Sequence, residues 1–482
     1  MKLETLLQNI TFEKKIEENN SVILGITQDS RYKNVDGFVY VAVVGTQSDG
    51  HDYITDVISN GIHTVVCEKL PKNIQPNINY IVVKDTHRAV GEIASLFYKH
   101  PSQELKIIAV TGTNGKTTCA TYAYQLLESF SKKTLLFSTA GDFYNGKKIS
   151  LERKAPSSLE VIELHKNLRD FVDQGAEYCC LEATSQALDQ YRLAGVDIDV
   201  AIYTNLEQDH LDYHKTFEHY RDSKKKLFDG LLPTSFAVIN ADDENSDLMV
   251  KDTAASIVGY GLSEKSQRNF SINSIDFGAI SIRFHNYDYT IPVIGIFNVY
   301  NVIAVVSALE VLGFNSNEIF KNVTNLKGVP GRLESVPNNK KLLALVDYAH
   351  SPGALESVLT TLKDLPHNSL ITVVGCGGDR DRSKRPMMVQ ATQQNSDYVI
   401  YTADNPRTEN LDQIFNDMKQ GLDTEASNYH FVESREKAIQ QAVTMAKPQD
   451  IVVVAGKGHE DYQVIGTKKI HFDDREILEK YL

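Results

Sequence analysis

Residues 110–118, Val-Thr-Gly-Thr-Asn-Gly-Lys-Thr-Thr, have the composition and spacing of a phosphate-binding loop. They follow the apolar run 105–109 and precede a helix predicted over residues 119–130. In such a loop, glycines let backbone N–H groups approach anionic oxygens, and the helix N-terminus adds partial positive charge. The lysine reaches the β- and γ-phosphates, and the first hydroxyl after it can ligate Mg²⁺. We therefore predict an ATP site formed by Gly112, Thr113, Asn114, Gly115, Lys116, Thr117 and Thr118.

The loop is a shortened variant of the usual pattern, because its first glycine is Gly112 and position 110 is a valine. A turn of the same composition that binds no nucleotide is the alternative. The apolar strand before the loop and the helix after it are the context that favours nucleotide binding.

Two further side chains suited to bind a divalent cation follow predicted strands. Glu182 ends the apolar run 178–181, and His210 lies in the acidic, histidine-rich loop after the run 200–203. Since the carboxyl ends of parallel strands meet at one edge of a sheet, both would face the phosphate loop. A carboxylate and an imidazole suit Mg²⁺ or a water relay. A capping acid and an ordinary hydrogen-bonded histidine are the alternatives.

These residues need a sheet to position them, and the sequence predicts an α/β fold. Apolar runs at residues 38–44, 237–239, 371–374 and 451–455 alternate with helical patterns, which favours largely parallel sheets. Segments 270–272 and 280–284 predict a short antiparallel excursion. Two segments predict domain boundaries. Residues 100–104 contain a proline, and residues 328–332 contain a proline and two glycines, which interrupt helices and strands. The charged loop 380–385 follows an apolar strand and three glycines, which is typical of a ligand-binding loop; a solvated turn is its alternative.

Composition excludes several classes of protein. A chain of 482 residues predicts about three domains. A net charge of −13 opposes nucleic-acid binding, and no apolar run reaches the roughly 18 residues of a membrane span. Five cysteines without C-x-x-C spacing predict reduced thiols. With no apolar signal segment at the start of the sequence, we expect a cytoplasmic protein.

The assembled motifs resemble the Mur ligases over nearly the whole chain. The resemblance rests on residues 111–118, Glu182, and the segments 204–214, 297–301, 331–334, 347–350 and 456–460. It implies three domains: an N-terminal UDP-substrate-binding domain (1–103), a central P-loop ATP-binding domain (104–331) and a Rossmann-like C-terminal domain that binds the amino acid (332–482).

The resemblance also implies an activity in peptidoglycan precursor synthesis. ATP and Mg²⁺ would serve an acyl-phosphate reaction that joins meso-2,6-diaminopimelate to the UDP-linked muramoyl dipeptide UDP-N-acetylmuramoyl-L-alanyl-D-glutamate, in a monomeric enzyme. The implied catalytic residues are Lys116, Glu182, His210 and Lys224, and the implied metal ligands are Thr117, Glu182, His210 and a carbamylated Lys224. From the residues alone, the run Lys224-Lys225-Lys226 reads as a solvated helix face.

Other substrate contacts follow from matching positions. The rest of the nucleotide site would be Asn298, Asn301, Arg332 and Asp347. The UDP substrate would contact Ser30, Arg31, Thr46, Gln47, Ser48, Ser185, Gln190 and Arg192. The amino acid would contact Arg380, Asp404, Asn405, Pro406, Arg407, Gly456 and Glu460.

The resemblance implies that Arg407 selects the amino acid. A guanidinium pairs bidentately with a carboxylate, and diaminopimelate differs from lysine by one distal carboxylate. A plain surface turn is the alternative for an isolated Asp-Asn-Pro-Arg tetrapeptide.

The sequence departs from the family pattern mainly on the acceptor side, at Lys154, Ala155, Gln186 and Gly353. These departures leave open a related ligase that joins an amino acid to a different carboxylate. A non-catalytic nucleotide-binding regulator is the more distant alternative, which the retained Lys116, Glu182, His210 and Lys224 disfavour.

Overall fold

The computed structural model describes residues 1–8, 10–16, 22–33, 35–45, 48–151, 158–423 and 425–482. The chain divides into two compact units, one comprising residues 1–260 with 307–313 and the other residues 261–306 with 314–482. Among the described residues, no helix combines the length and hydropathy needed to cross a membrane. The domain boundaries after residues 103 and 331 stay a prediction.

The first unit begins with a five-stranded sheet in the order β1-β5-β4-β3-β2, parallel except for β1. Its strands are β1 (Lys14–Ile16), β2 (Gly25–Thr27), β3 (Phe38–Val41), β4 (Thr64–Cys67) and β5 (Asn79–Val82). Its helices are α1 (Leu3–Leu7), α2 (Ile54–Ser59) and α3 (Thr86–Phe97), and 3-10 turns lie at Gly50–Tyr53 and Pro101–Glu104. The strand predicted over residues 38–44 ends at Val41, and Val44 instead forms an isolated bridge with Asp49.

A second sheet of the same unit contains the phosphate loop. Its order is β13-β12-β11-β6-β10-β7-β8-β9, parallel from β13 to β7 and antiparallel at the last two strands. The strands are β6 (Lys106–Thr111), β7 (Thr134–Ser138), β8 (Gly141–Tyr144), β9 (Lys147–Ile149), β10 (Tyr178–Glu182), β11 (Val200–Tyr203), β12 (Phe236–Asn240) and β13 (Ser256–Gly261). The helices are α4 (Lys116–Ser129), α5 (Val161–Val172), α6 (Ser185–Asp189), α7 (Leu211–His214), α8 (Phe217–Asp229) and α9 (Ser246–Met249). The central strands are almost wholly buried, as expected for parallel strands covered on both faces.

The second unit contains an antiparallel sheet and a larger, mainly parallel one. The antiparallel strands are β14 (Arg268–Ile275), β15 (Ile280–Phe284) and β16 (Tyr287–Ile291), which confirms the predicted excursion. The larger sheet has the order β17-β18-β22-β19-β20-β21, with only β17 antiparallel. Its strands are β17 (Glu334–Val336), β18 (Leu343–Asp347), β19 (Leu370–Cys376), β20 (Tyr398–Ala403), β21 (Tyr429–Val432) and β22 (Ile451–Ala455).

The remaining described elements are a hairpin and a set of helices. A hairpin is formed by β23 (Tyr462–Ile465) and β24 (Lys468–His471). The helices are α10 (Ile296–Val311), α11 (Ser316–Val323), α12 (Pro352–Lys363), α13 (Lys384–Asn395), α14 (Leu411–Lys419), α15 (Arg435–Met445) and α16 (Asp474–Tyr481). The predicted α/β class with largely parallel sheets is confirmed. All five cysteines are buried free thiols.

We expect a buried histidine to make the stability of the first unit depend on pH. His165 on α5 is fully buried, donates from Nε2 to the carbonyl of Ala194 at 2.9 Å, and has an Nδ1 atom with no partner among the described residues. Burial lowers its pKa to about 4. Because the unfolded chain binds this proton more tightly, the free energy of unfolding should fall as pH drops from about 6.5 to about 4, by up to ~3 kcal/mol.

We expect His165→Gln to flatten this dependence in urea unfolding measured between pH 4 and pH 7. His63→Gln, which replaces an exposed histidine, is the matched control and should keep the wild-type slope. An unchanged slope in His165→Gln would show that this imidazole does not carry the effect.

Candidate functional site

The phosphate loop joins the end of β6 to the start of α4. The helix begins at Lys116, three residues before the predicted start, because Gly115 adopts a left-handed φ of +83° and serves as N-cap. Thr113 and Asn114 donate their backbone N–H groups to the carbonyl and side-chain oxygens of Asn205, both at 2.9 Å. The loop after β11 therefore holds the phosphate loop in place.

Gly112 is required by the space around it. Its φ is +149°, and an added Cβ would lie 1.9 Å from the hydroxyl oxygen of Thr204. The close approach of these two segments leaves no room for a side chain.

We expect Gly112→Ala to lower the free energy of unfolding by about 2 kcal/mol or more and to abolish binding of a fluorescent ATP analogue. Gly353→Ala is the matched control, since a Cβ on that α12 residue meets nothing within 4 Å. Differential scanning calorimetry and nucleotide titration of both variants test this. Wild-type nucleotide affinity in Gly112→Ala would contradict the close packing.

Two lysine Nζ atoms converge on one carbonyl of the loop. Lys116 Nζ donates to the carbonyl oxygens of Gly112 at 3.0 Å and Thr113 at 2.7 Å. Lys224 Nζ donates to the same Gly112 oxygen at 2.6 Å. The Lys116 ammonium and the N-terminus of α4 give this loop the positive charge that suits an anion.

Lys224 differs from the two lysines that follow it on α8. Its side chain is 1% exposed, whereas Lys225 pairs with Asp229 and Asp252 and Lys226 pairs with Asp189. Burial, together with the charge of Lys116, lowers the pKa of Lys224 well below its ordinary value. Burial therefore shifts Lys224 towards the neutral amine, which is the nucleophilic form of lysine.

Glu182 and Thr117 are linked through a residue that the sequence reading missed. Glu182 ends β10, is 4% exposed, and accepts from the backbone N–H of Thr139 at 2.7 Å and from its hydroxyl at 3.1 Å. The hydroxyl oxygens of Thr139 and Thr117 lie 3.0 Å apart. Thr139 directly follows β7, at the carboxyl edge of the sheet. A hydroxyl residue directly after a parallel strand is the sequence feature that could have identified it.

His210 lies in the loop after β11 but is not brought into contact with Glu182. Its φ is +53° and its side chain is 48% exposed. Its nearest charged partner is Asp209, with Nε2 and Oδ2 3.6 Å apart. Among the described residues, no contact joins its imidazole to Glu182 or Lys224.

The predicted UDP-substrate residues form one cluster and one exposed group. Arg192 donates to Gln190 at 2.7 Å and to the Ser158 hydroxyl at 2.7 Å, and it pairs with Glu160 at 3.1 Å. Ser185, on α6, is 2% exposed and lies 3.0 Å from Nε2 of His214.

The N-terminal members of this group are more open. The Arg31 side chain is 82% exposed and forms a two-point pair with Asp29. Ser30 is half-buried and Ser48 is exposed. Thr46, Gln47, Lys154 and Ala155 lie outside the described residues.

The predicted nucleotide residues of the second unit are mostly buried. Asn298 and Asn301 lie one turn apart on α10, and the amide of Asn301 donates to Asn298 at 3.0 Å. Asp347 accepts from the backbone N–H groups of Leu333 and Ala349, and burial raises its pKa. Arg332 lies over the ring of Tyr348, 5.2 Å from its centroid.

The predicted amino-acid residues converge around two glycines. A Cβ on Gly377 would lie 3.2 Å from Nη1 of Arg407 and 3.6 Å from Cγ of Arg380. A Cβ on Gly456 would lie 3.0 Å from Oδ2 of Asp404, a buried oxygen with no hydrogen-bond partner among the described residues. Nη1 of Arg407, Cγ of Arg380 and Oδ1 of Asp404 therefore all lie within 4.0 Å of the position that a Cβ on Gly377 would take.

Glu409 connects the segment 379–385, which contains Arg380, to the turn 404–407 through hydrogen bonds. Its carboxylate accepts from Arg385 at 2.6 Å and 2.9 Å, from Arg382, and from the backbone N–H of Asp379 at 3.1 Å. The hydrogen bonds from Arg385 lower its pKa to about 2. Glu409 was missed by sequence reasoning, because an acid after a turn is an ordinary surface residue until its partners are known.

A phosphate loop between the carboxyl end of a parallel strand and the start of a helix places the fold in the class of P-loop nucleotide-binding proteins. The sequence matches the Mur ligase middle domain over residues 110–309 and the Mur ligase glutamate ligase domain over residues 331–458. The chain belongs to the Mur ligase family, and it has the family's three-domain architecture.

Individual relatives are similar to this chain over nearly its full length. UDP-N-acetylmuramoyl-L-alanyl-D-glutamate--2,6-diaminopimelate ligase of Phocaeicola vulgatus is 41% identical and covers 99% of each chain. A ligase of the same name from Clostridium acetobutylicum, numbered 2, is 38% identical and covers 100% of each. A solved structure of UDP-N-acetylmuramoyl-L-alanyl-D-glutamate--2,6-diaminopimelate ligase is similar with a TM-score of 0.71 at 36% identity, covering 95% of this chain and 94% of that one.

Proposed function

We propose that this protein is the ATP-dependent ligase that adds meso-2,6-diaminopimelate to UDP-N-acetylmuramoyl-L-alanyl-D-glutamate in peptidoglycan precursor synthesis. The relatives named for this reaction support the proposal. The observation that carries it is the convergence of Arg407, Arg380 and Asp404 on Gly377. A distal carbon that bears both a carboxylate and an ammonium needs this combination of charges, whereas lysine has no carboxylate to offer the arginines.

The residues of the phosphate loop fit a nucleotide and a divalent cation. Backbone N–H groups at the start of α4 and the ammonium of Lys116 suit the phosphates, and the Thr117 hydroxyl and Glu182 carboxylate offer the hard oxygen ligands that Mg²⁺ prefers. Thr117, Glu182, His210 and Lys224 are the proposed metal ligands. When bound, the cation would neutralise charge on the phosphates.

Lys224 would act as a carbamate. Its neutral amine attacks CO₂, forming an N–C bond and losing one proton, and the product is a carboxylate-like anion. The low pKa imposed by burial supplies the neutral amine, and the nearby Lys116 ammonium would compensate the new negative charge.

The proposed reaction has two steps. A carboxylate oxygen of the D-glutamyl residue attacks the γ-phosphorus of ATP, ADP leaves, and an acyl phosphate forms. The diaminopimelate amine then attacks the acyl carbon, phosphate leaves with the bridging oxygen, and the nitrogen loses a proton. Lys116 would offset the charge that develops on the transferred phosphate, where positioning and charge neutralisation dominate the rate.

Substrate contacts complete the proposal. Ser30, Arg31, Ser48, Ser185, Gln190 and Arg192, with Thr46 and Gln47, would bind the UDP-linked dipeptide. Asn298, Asn301, Arg332 and Asp347 would complete the nucleotide site, and Arg380, the turn Asp404-Asn405-Pro406-Arg407, Gly456 and Glu460 would form the amino-acid site.

The departures on the acceptor side motivate the second candidate, a related ligase with another carboxylate acceptor. Gln186 lies on α6 directly after Ser185, and Gly353 lies on α12. A phosphate-release assay with UDP-linked dipeptide, ATP and either diaminopimelate or lysine separates the candidates. Release with diaminopimelate alone supports the proposal, and release only with another acceptor supports the related ligase. No release with any acceptor and amine, despite ATP binding, supports a regulator.

A further inference from the structure

Lys457 is a buried lysine whose ammonium ends between two predicted amino-acid-binding residues. It follows β22 between Gly456 and Gly458, and its side chain is 0% exposed. Nζ lies 3.2 Å from Oε2 of Glu460 and 3.3 Å from Oδ1 of Asn405. The three side chains form one hydrogen-bonded group, because Asn405 Nδ2 donates to the same Glu460 oxygen at 2.9 Å.

The donors around Asn405 fix the orientation of its amide. Its Oδ1 faces the Lys457 ammonium and also the backbone N–H of Val464 at 2.9 Å. Both neighbours can only donate, so the oxygen must point towards them and Nδ2 must point towards Glu460. Three hydrogen bonds of the amide are thus made inside the protein.

The three side chains of this group differ in their exposure to solvent, and only an exposed one can contact a ligand. Asn405 is 2% exposed and Lys457 is 0% exposed, whereas the Glu460 side chain retains 19% exposure. Glu460 is therefore the member of the group that can meet a substrate ammonium directly. Lys457 and Asn405 would act on the substrate through it.

A purely structural role would not favour a lysine at this position. Removing an ammonium from water costs several kcal/mol, and an apolar side chain of similar volume avoids that cost. Among the described residues, the Nζ atom donates to Glu460 and Asn405, lies 5.4 Å from the centroid of the Tyr462 ring, and interacts electrostatically with the buried Asp474 carboxylate. The two hydrogen bonds of the Lys457 ammonium orient Glu460 and Asn405.

We propose that Lys457 is a positioning residue for the incoming amino acid, holding the Glu460 carboxylate oriented towards the substrate ammonium. This inference rests on the proposed function, since it takes the turn 404–407 and Glu460 as the amino-acid site.

The test is a double-mutant cycle in the full-length protein with Lys457→Met, Glu460→Gln and the double variant. Phosphate release is measured while ATP, UDP-linked dipeptide and diaminopimelate are varied in turn. We expect Lys457→Met to raise KM for diaminopimelate about 10- to 100-fold and to change the other two KM values less than twofold. A residue that acts through Glu460 adds no further effect once Glu460 is replaced, so the double variant should match Glu460→Gln.

Lys480→Met is the matched control, because that lysine is exposed and pairs with Glu436 on the surface of the same unit. If Lys457→Met does not fold, Asn405→Ser interrupts the same group and should show the same selective rise in KM. Equal rises in all three KM values, fully additive effects in the double variant, or no change would overturn the proposal. A wild-type enzyme that does not depend on diaminopimelate would instead reject the proposed function.

Discussion

Replacing Lys224 with alanine is expected to reduce the kcat of phosphate release by about 10²- to 10³-fold, the loss typical of a positioned electrostatic group. The change removes both the buried amine beside Gly112 and the carbamate proposed to form on it. Because the vacated space could admit a small anion, chloride or formate should restore part of the activity, and steady-state assays with and without these salts measure it.

Lys225→Ala is the control for the Lys224 variant. Lys225 is the next residue of the same helix but pairs with two carboxylates, at 2.5 Å from Asp229 and 2.6 Å from Asp252. It should keep wild-type activity and show no response to added anions. Full activity in Lys224→Ala, or an equal loss in both variants, would remove Lys224 from the mechanism.

Replacing Arg407 with alanine is expected to lower kcat/KM for diaminopimelate by about 10²- to 10³-fold while leaving KM for ATP within twofold of wild type. The guanidinium borders Gly377 and is fixed by donating to the carbonyl of Gly378 at 2.7 Å. Its loss leaves a substrate carboxylate without a two-point partner. The preference for diaminopimelate over lysine should shrink by the same factor.

Arg407→Lys sharpens this test, because lysine keeps the charge but has no planar fork to pair with a carboxylate. It should recover only a small part of the lost activity. Arg283→Ala, at a surface pair with Asp288 in the same unit, should behave as wild type. If Arg407→Ala still preferred diaminopimelate over lysine, the amino acid would have to be selected elsewhere.

The sheets and the phosphate loop were predictable because their signals are local. Residues 371–374 and 451–455 form the middle of β19 and all of β22, since continuous apolar runs suit strands buried on both faces. Gly112 and Gly115 both adopt backbone conformations that favour glycine. The loop therefore needs glycine at these positions, and the sequence shows them directly.

The contacts inside the site could not be predicted, because they join residues far apart in sequence. Three adjacent lysines look alike in the sequence, and only the packing of α8 shows that Lys224 is buried while Lys225 and Lys226 pair with surface acids. Thr139 contacts Glu182 across neighbouring strands. The hydrogen bond from Lys457 to Asn405 likewise joins two loops that are far apart in sequence. The roles assigned to the site residues stay predictions.

Transfer of oxygen-18 from the acceptor carboxylate to phosphate tests the activation of that carboxylate most directly. UDP-linked dipeptide labelled at the D-glutamyl carboxylate is incubated with the protein, ATP, Mg²⁺ and diaminopimelate, and the released phosphate is analysed by mass spectrometry. We predict one labelled oxygen in each phosphate, because the oxygen that attacks the γ-phosphorus leaves with it. Unlabelled phosphate formed together with the amide product would contradict the acyl-phosphate mechanism.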